Sequence, residues 1–285
     1  MKFFDIMKSM AVLILTTSMI CAADNVNFAQ TPMAAGKAAL AEDAYYINRV
    51  LGVANFSPDL RMPLQLFYSS ASEKTGIFGY AWNCPQLESR VITENDGATW
   101  TTPWGEKVRF FAKQKATKDT LELYKEEMKG AKPFFAPYSD WEAEDKQDGK
   151  EWFITGKKEL DGWRFHYKES QLQSVTAPSG RSLSFEYSKG KIKSIRQENE
   201  AFIELEYVNN FVSSITINGI ESKFAYSSAT IEKLPESLTE KPIKLSKPVL
   251  ASYSMGGLAP IEFAYDKNGY LSQVKHGEFT DNISV

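Results

Sequence analysis

Between Gly162 and Val274 the chain repeats one phrase: an aromatic or leucine, one intervening residue, then tyrosine. The phrase occurs as Phe165 with Tyr167, Phe185 with Tyr187, Leu205 with Tyr207, Phe224 with Tyr226 and Phe263 with Tyr265, the tyrosines lying 20, 20, 19 and 39 residues apart. Five residues after each of the first four tyrosines, and six after the last, stands an aliphatic residue, with another three beyond it: Leu172 and Val175, Ile192 and Ile195, Val212 and Ile215, Ile231 and Leu234, Leu271 and Val274. A fixed period with the same residue classes in the same slots marks a repeat architecture.

Residues two apart in a strand share a face, so the spacing predicts strands whose apolar rows are Trp163, Phe165, Tyr167; Leu183, Phe185, Tyr187; Ile203, Leu205, Tyr207; and Ile261, Phe263, Tyr265. Polar residues such as Arg164, His166, Ser184, Glu186, Glu204 and Glu206 fall between them and face solvent. The connecting pieces "KES", "SKG", "VNN" and "DKNG" carry turn chemistry: Gly190 and Gly269 can take positive φ, and Asn209, Asn210 and Asn268 tolerate it. A hairpin alone is marginal, so neighbouring units must pair to bury their rows.

Elsewhere the pattern is looser. "MKFFDIMKSMAVLILTTSMICAAD" has Lys2 and Lys8 before an uncharged stretch and small residues before Asp24, the pattern of a secretory signal peptide over residues 1–23. The uncharged stretch is too short to span a bilayer, and Cys21 lacks the small residues before it that a lipidation site has. An Ala-rich linker or short surface helix is expected over 24–45 and a β-rich module over 46–160, in which "KDTLELYKEEMKG" competes as a helix. Repeats are expected over 161–285, with 235–260, rich in proline and carrying Gly256-Gly257, read as an inserted loop or a degenerate unit. With 33 basic against 36 acidic residues the net charge is −3, and without Lys2, Lys8 and Asp5 the balance is 31 against 35, which argues against nucleic acid as a partner. After signal cleavage Cys84 is the one cysteine, so packing rather than an intramolecular disulfide must stabilise the exported chain.

"IEFAYDKNGYLSQV" (261–274), with its Tyr265-Asp266 pair, closely resembles the repeat of the YD-repeat or Rhs (rearrangement hotspot) proteins, relatives of the insecticidal toxin-complex C subunits and the teneurins. "MPLQLFYSS" followed by "GIFGYAWNCPQLES" resembles the segment preceding the repeats in bacterial members, so the likeness covers about residues 50–110 and 160–279. The earlier copies depart from it, with Lys168, Ser188, Val208 and Ser227 in place of the aspartate. The resemblance implies an all-β protein, a curved antiparallel strip of consecutive hairpins forming a partial shell. Five units are too few for the hollow shell of long members, and neither a toxin-like tail nor the self-cleavage motif of such shells is recognisable. The chain is then either the amino-terminal part of a longer gene product or a short orphan.

Catalytic constellations are weak. His166 and His276 are the only histidines and have no partner at metal-ligand spacing, so no metal or cofactor is expected. Cys84 reads as a buried small hydrophobe beside Trp82, and the Ser188-x-x-Lys191 match lies in a turn, where the lysine would not be buried enough for catalysis. Glu204 and Glu206 share the polar face of one strand, which supplies such pairs freely. Trp100, Trp104 and Trp141 sit beside turn residues and acids, where exposed rings could stack on a sugar. The reading is an exported, non-catalytic scaffold or binding protein at the cell envelope or outside the cell, for which the resemblance implies a place in a toxin-delivery or cell-contact system. Its partners would be other protein chains or further repeats along an open sheet edge, or a cell-surface glycan. A carbohydrate-binding module is the alternative, followed by a glycoside hydrolase.

Overall fold

The computed structural model describes residues 46–58, 60–115, 118–125, 134–137, 139–198, 200–233 and 243–283. The expected signal peptide and linker therefore lie outside the described residues. The fold is all-β. An amino-terminal hairpin of β1 (Tyr46–Ser57) and β2 (Leu60–Ser69) is followed by the short strands β3 (Thr75–Gly76), β4 (Gly79–Tyr80) and β5 (Trp82–Asn83), and by one helical turn, Pro85–Glu88. Then come β6 (Arg90–Glu94), β7 (Gly97–Thr101), β8 (Lys107–Ala112), β9 (Phe134–Phe135), β10 (Trp141–Asp145) and β11 (Glu151–Gly156). The repeats supply β12 (Arg164–Lys168), β13 (Gln171–Thr176), β14 (Ser182–Ser188), β15 (Lys191–Gln197), β16 (Glu200–Val208), β17 (Phe211–Ile217) and β18 (Ile220–Lys233). They end with β19 (Ile243–Met255), β20 (Ile261–Tyr265), β21 (Leu271–His276) and β22 (Phe279–Asn282). The ambiguous segment after Lys115 forms a short helix, Lys118–Leu123.

Strands β6 to β22 form one antiparallel sheet of 17 strands that closes on itself as a barrel. Its early strands come back across the first repeat, so that Trp100 meets Phe165 and the Ser89 hydroxyl meets that of Tyr167. Pairing of β11 with β12 carries the sheet through residue 160, so the repeats and the strands before them share one wall.

The spacing of the repeat explains its geometry. Phe and Tyr are two residues apart on the first strand of each hairpin, whereas the aliphatic pair on the second strand is three apart. Both pairs can face inward only if the second strand carries one extra residue, which is a β-bulge. The pairing shows it: Phe165 faces Val175 and Tyr167 faces Leu172, with a register shift between His166 and Tyr167. The same shift recurs beside Tyr187, Tyr207, Tyr226 and Tyr265. Bulges increase local twist, and repeating one in every hairpin bends the wall around its apolar face. That face is the core: Phe165, Phe185, Leu205, Phe224 and Phe263 are buried, with the tyrosines buried or packed against the same cluster.

Unit four corrects two expectations. Its aliphatic slots are filled not by Ile231 and Leu234 but by Leu250, opposite Tyr226, and Tyr253, opposite Phe224; Leu234 lies outside the described residues. Where an inserted loop or a degenerate unit was expected over 235–260, β19 pairs with β18 at twelve positions from Ser222↔Met255 to Lys233↔Ile243, and residues 234–242 lie outside the described residues. The turn of this unit has been replaced by an elongated hairpin. Its β18 arm packs on the next unit: Ile231 is buried, and a Cβ at Gly269 would come within 2.5 Å of it.

Turn length accounts for the missing aspartates. In the first three units two residues with positive φ close the hairpin, Glu169-Ser170 (49° and 67°), Lys189-Gly190 (52° and 77°) and Asn209-Asn210 (51° and 74°), the arrangement of a type I′ turn. The last unit is one residue longer, and there Asp266 Oδ1 accepts the N–H groups of Asn268 and Tyr270. A carboxylate is useful only in the longer turn. Glu169 and Ser170 hold a conformation that asparagine and glycine adopt with less strain. The double change Glu169→Asn, Ser170→Gly should therefore raise stability by about 0.5–1 kcal/mol, read as a higher urea midpoint with an unchanged m-value.

Candidate functional site: the tyrosine row and the ribbon it encloses

The bulge has a chemical consequence, because it interrupts the hydrogen-bond ladder beside the first aliphatic residue of each unit. The tyrosine of the following unit reaches back and donates its hydroxyl to that residue's carbonyl. Tyr187 Oη lies 2.8 Å from the Leu172 oxygen, Tyr226 Oη 2.7 Å from that of Val212, and Tyr265 Oη 2.7 Å from that of Leu250. Each tyrosine thus clasps two neighbouring hairpins. Tyr167, in the first unit, has no preceding repeat, and its hydroxyl is instead 2.7 Å from both Ser89 Oγ and the indole nitrogen of Trp100. Among the described residues Tyr207 makes no such clasp; the Lys191 ammonium stands 5.2 Å from its ring centre.

The bulge also leaves N–H groups facing the interior, and the amino-terminal segment accepts two of them. Val212 N–H donates to the Ile77 carbonyl at 3.0 Å, and Leu271 N–H to the Tyr68 hydroxyl at 2.9 Å. Trp82 Nε1 donates to the Tyr265 hydroxyl at 2.8 Å, joining the ribbon to the last clasp. Apolar contacts follow the same path. Phe56 packs on Phe202, Phe78 on Phe224 and Trp82 on Phe263, with ring centres 4.9, 5.2 and 4.8 Å apart. At Gly79, which holds φ +95°, a Cβ would meet the Pro248 carbonyl oxygen at 3.0 Å, so only glycine brings the ribbon this close to the wall. The barrel's interior is filled by its own amino-terminal segment.

The ribbon's path is fixed by a buried polar knot at Pro85–Glu88. Glu88 accepts N–H groups of Ile77 and Cys84, each at 3.1 Å, and Gln86 Oε1 accepts from Gln65 N–H and the Cys84 thiol. Burial pushes the Glu88 carboxyl up, against these two donors and Arg90. Burial, with Glu88 nearby, pushes the Cys84 thiol up as well, which keeps it protonated and a poor nucleophile.

The three candidate sugar-stacking rings are corrected by their burial. Trp100, Trp104 and Trp141 are 0%, 5% and 6% exposed. Their ring centres lie 5.1–5.7 Å apart and all three contact Phe165. Edge-to-face packing over the first repeat has taken the surfaces a sugar would need, and the Trp104 indole nitrogen is spent on Glu106. Of the ten repeat-core residues, six belong to one hydrophobic cluster and Tyr187, Tyr207, Tyr226 and Tyr265 pack against it. His166 lies on the outer face, stacked on Phe153 and 2.9 Å from Glu151 Oε1. Glu206 accepts from the Ser214 hydroxyl on the outer face. Sequence reasoning placed Trp82 in a core strand but missed its bond to Tyr265, and it missed the roles of Ser89, Tyr68 and Glu88, the first two set by partners 78 and 203 positions away.

No family model matches the chain, and no curated protein matches it. Among solved structures it is similar to a chain of the Photorhabdus luminescens Tc holotoxin pore carrying a TccC3 mutation, with 13% identity over 81% of this chain and a TM-score of 0.35. It is also similar to a chain of the TcdB2–TccC3–Cdc42 complex, with 14% identity over 81% of this chain and a TM-score of 0.34. This chain spans 14% and 15% of the length of those two chains.

Removing a clasp hydroxyl leaves a buried carbonyl without its partner. Tyr187→Phe and Tyr226→Phe should each cost about 1–3 kcal/mol, whereas Tyr207→Phe should cost less than either, by urea unfolding. Burial also raises the phenol pKa values, to about 12 for Tyr68 and upward for Tyr167, Tyr187, Tyr226 and Tyr265. A folded value above the unfolded one of about 10 means stability that is complete below pH 10 and lost as pH climbs through the folded values. The share of phenolate absorbance due to these five tyrosines should appear in an alkaline titration together with loss of near-ultraviolet circular dichroism, and their ionisation within an intact fold would contradict this.

Proposed function

We propose that the chain is an exported, non-catalytic YD-repeat scaffold or binding protein, acting at the cell envelope or beyond it in a toxin-delivery or cell-contact system. The observation that carries this reading is the repeated bulged hairpin with its tyrosine clasp, a device that spends the interior's polar groups on holding a wall together. Tyr167, Tyr187, Tyr226 and Tyr265 are engaged by backbone or by Ser89, Trp82 and Trp100. Glu88 and Gln86 are bound to the ribbon's own backbone. Function is then left to the outer surface and the two rims of the barrel. Burial of Trp100, Trp104 and Trp141 removes the support for a carbohydrate module built on those rings.

Export is carried by the first 23 residues in this reading, so a reporter fused after Ala23 should leave the cytoplasm, and the exported chain should begin at Asp24. Affinity capture of the tagged chain from envelope and extracellular fractions should return a protein partner in stoichiometric amount. Turnover of a glycoside substrate that is abolished by Glu204→Gln or Glu206→Gln would replace the scaffold reading with a hydrolase.

A further inference from the structure

The sequence holds two Asn-Gly pairs, Asn218-Gly219 and Asn268-Gly269, each in a turn with its glycine at positive φ. The structure shelters one and leaves the other open. In the second pair the Gly269 N–H donates to the Asp266 carbonyl at 3.0 Å, Asp266 Oδ1 holds the Asn268 N–H, and Ile231 closes over the buried glycine. In the first, Asn218 and Gly219 are both exposed, and a Cβ on Gly219 would meet nothing within 4 Å. The Gly219 N–H has no hydrogen-bond partner among the described residues.

This open turn is also where the ribbon's first strand is fastened to the wall. Asn218 Nδ2 donates to the Val53 carbonyl of β1 at 2.9 Å, and the Asn218 N–H donates to the Phe202 carbonyl at 3.0 Å. Beside it the Ile217 side chain lies against Gly52, where a Cβ would come within 2.9 Å of it, and Phe202 packs on Phe56 of β1.

Asparagine is chemically labile, and an unhindered glycine after it supplies the nucleophile. The Gly219 nitrogen gives up its proton to solvent base and attacks Asn218 Cγ; the N–Cγ bond forms, the Cγ–Nδ2 bond breaks and ammonia leaves. Water then opens the cyclic imide at either carbonyl, giving aspartate or isoaspartate, the latter with its main chain rerouted through Cβ and Cγ. We propose that Asn218 is a self-modifying residue whose conversion unfastens β1 from the wall. Aspartate has no N–H to offer Val53 and sets a carboxylate against that carbonyl. Isoaspartate lengthens the backbone of a two-residue turn that must hold Ile217 opposite Ile220. The inference goes beyond the scaffold reading and does not depend on it: the fastening has a finite lifetime, set by water and pH without an enzyme.

Peptide mapping by mass spectrometry of the folded chain, aged in mildly alkaline buffer, tests it. The peptide containing Asn218 should gain the mass difference between an acid and an amide, faster as pH rises, and should become a methyl acceptor for isoaspartyl methyltransferase. The Asn268 peptide should stay unchanged over the same time. Gly219→Asn copies the turn at Asn209-Asn210, where two asparagines hold φ 51° and 74°, so the fold is kept while the added side chain shields the nitrogen and conversion stops. Asn218→Asp should shift the unfolding equilibrium about fivefold toward the unfolded chain, and hydrogen exchange in β1 should be faster in aged than in fresh protein while exchange in β12 to β15 is unchanged. The proposal is overturned by an Asn218 peptide that keeps its mass, by conversion at Asn268 that keeps pace with it, by conversion undiminished in Gly219→Asn, or by β1 exchange that does not change with age.

Discussion

The hydrogen bond from Tyr187, Tyr226 and Tyr265 to the carbonyl beside the preceding bulge is the interaction on which the wall depends. Two apolar residues at a spacing of two face two at a spacing of three, and the mismatch can be absorbed only by bulging one strand. Bulging curves the sheet but leaves a carbonyl without its ladder partner, inside a barrel where water cannot serve it. At Tyr187, Tyr226 and Tyr265 a phenylalanine would fill the same volume and leave that carbonyl unpaired. Curvature and polar satisfaction are thus two results of one extra residue per hairpin, repeated until the sheet has turned around its contents.

Those contents make this barrel different from a container. The wall's apolar rows are covered by the chain's own segment from β1 to β5, and the fit is specific at the level of single atoms: Ile77 takes the Val212 amide, Tyr68 takes that of Leu271, and Gly79 passes under Pro248 where no side chain could. Glu88 holds the ribbon in that path by accepting two of its amides. The buried carboxyl is a structural group here, and its elevated pKa follows from its location.

Most of the wall was legible in the sequence because its determinants are local. Period, facing and turn chemistry can be read within twenty residues, and they placed the apolar rows of units one, two, three and five correctly. Unit four misled for a physical reason: Ile231 and Leu234 happen to match the slots, and nothing local says that the strand continues past Tyr226. One signal was available. Val175 precedes Phe185 by ten residues and Ile195 precedes Leu205 by ten, and Tyr253 precedes Phe263 by the same interval, with Leu250 three before it. The tryptophans misled differently. Neighbouring acids and turn residues suggested exposure, but their burial is decided by β7 folding back over the first repeat, a contact between Trp100 and Tyr167 spanning 67 positions. Long-range partners of that kind leave no periodic trace.

A filled barrel sets an order of events for the chain that makes it. The filling leaves the ribosome first and can find only part of its cover, because the wall is completed by strands made last; the amide that meets Tyr68 belongs to a residue 203 positions later. Contacts so distant in sequence close slowly. Until they do, a hairpin rich in Leu, Val and Phe and a growing sheet with an unfinished margin are both without shelter. A cell producing this protein must therefore keep the nascent polypeptide from meeting its neighbours, by a chaperone or by delaying folding, until the last repeat arrives.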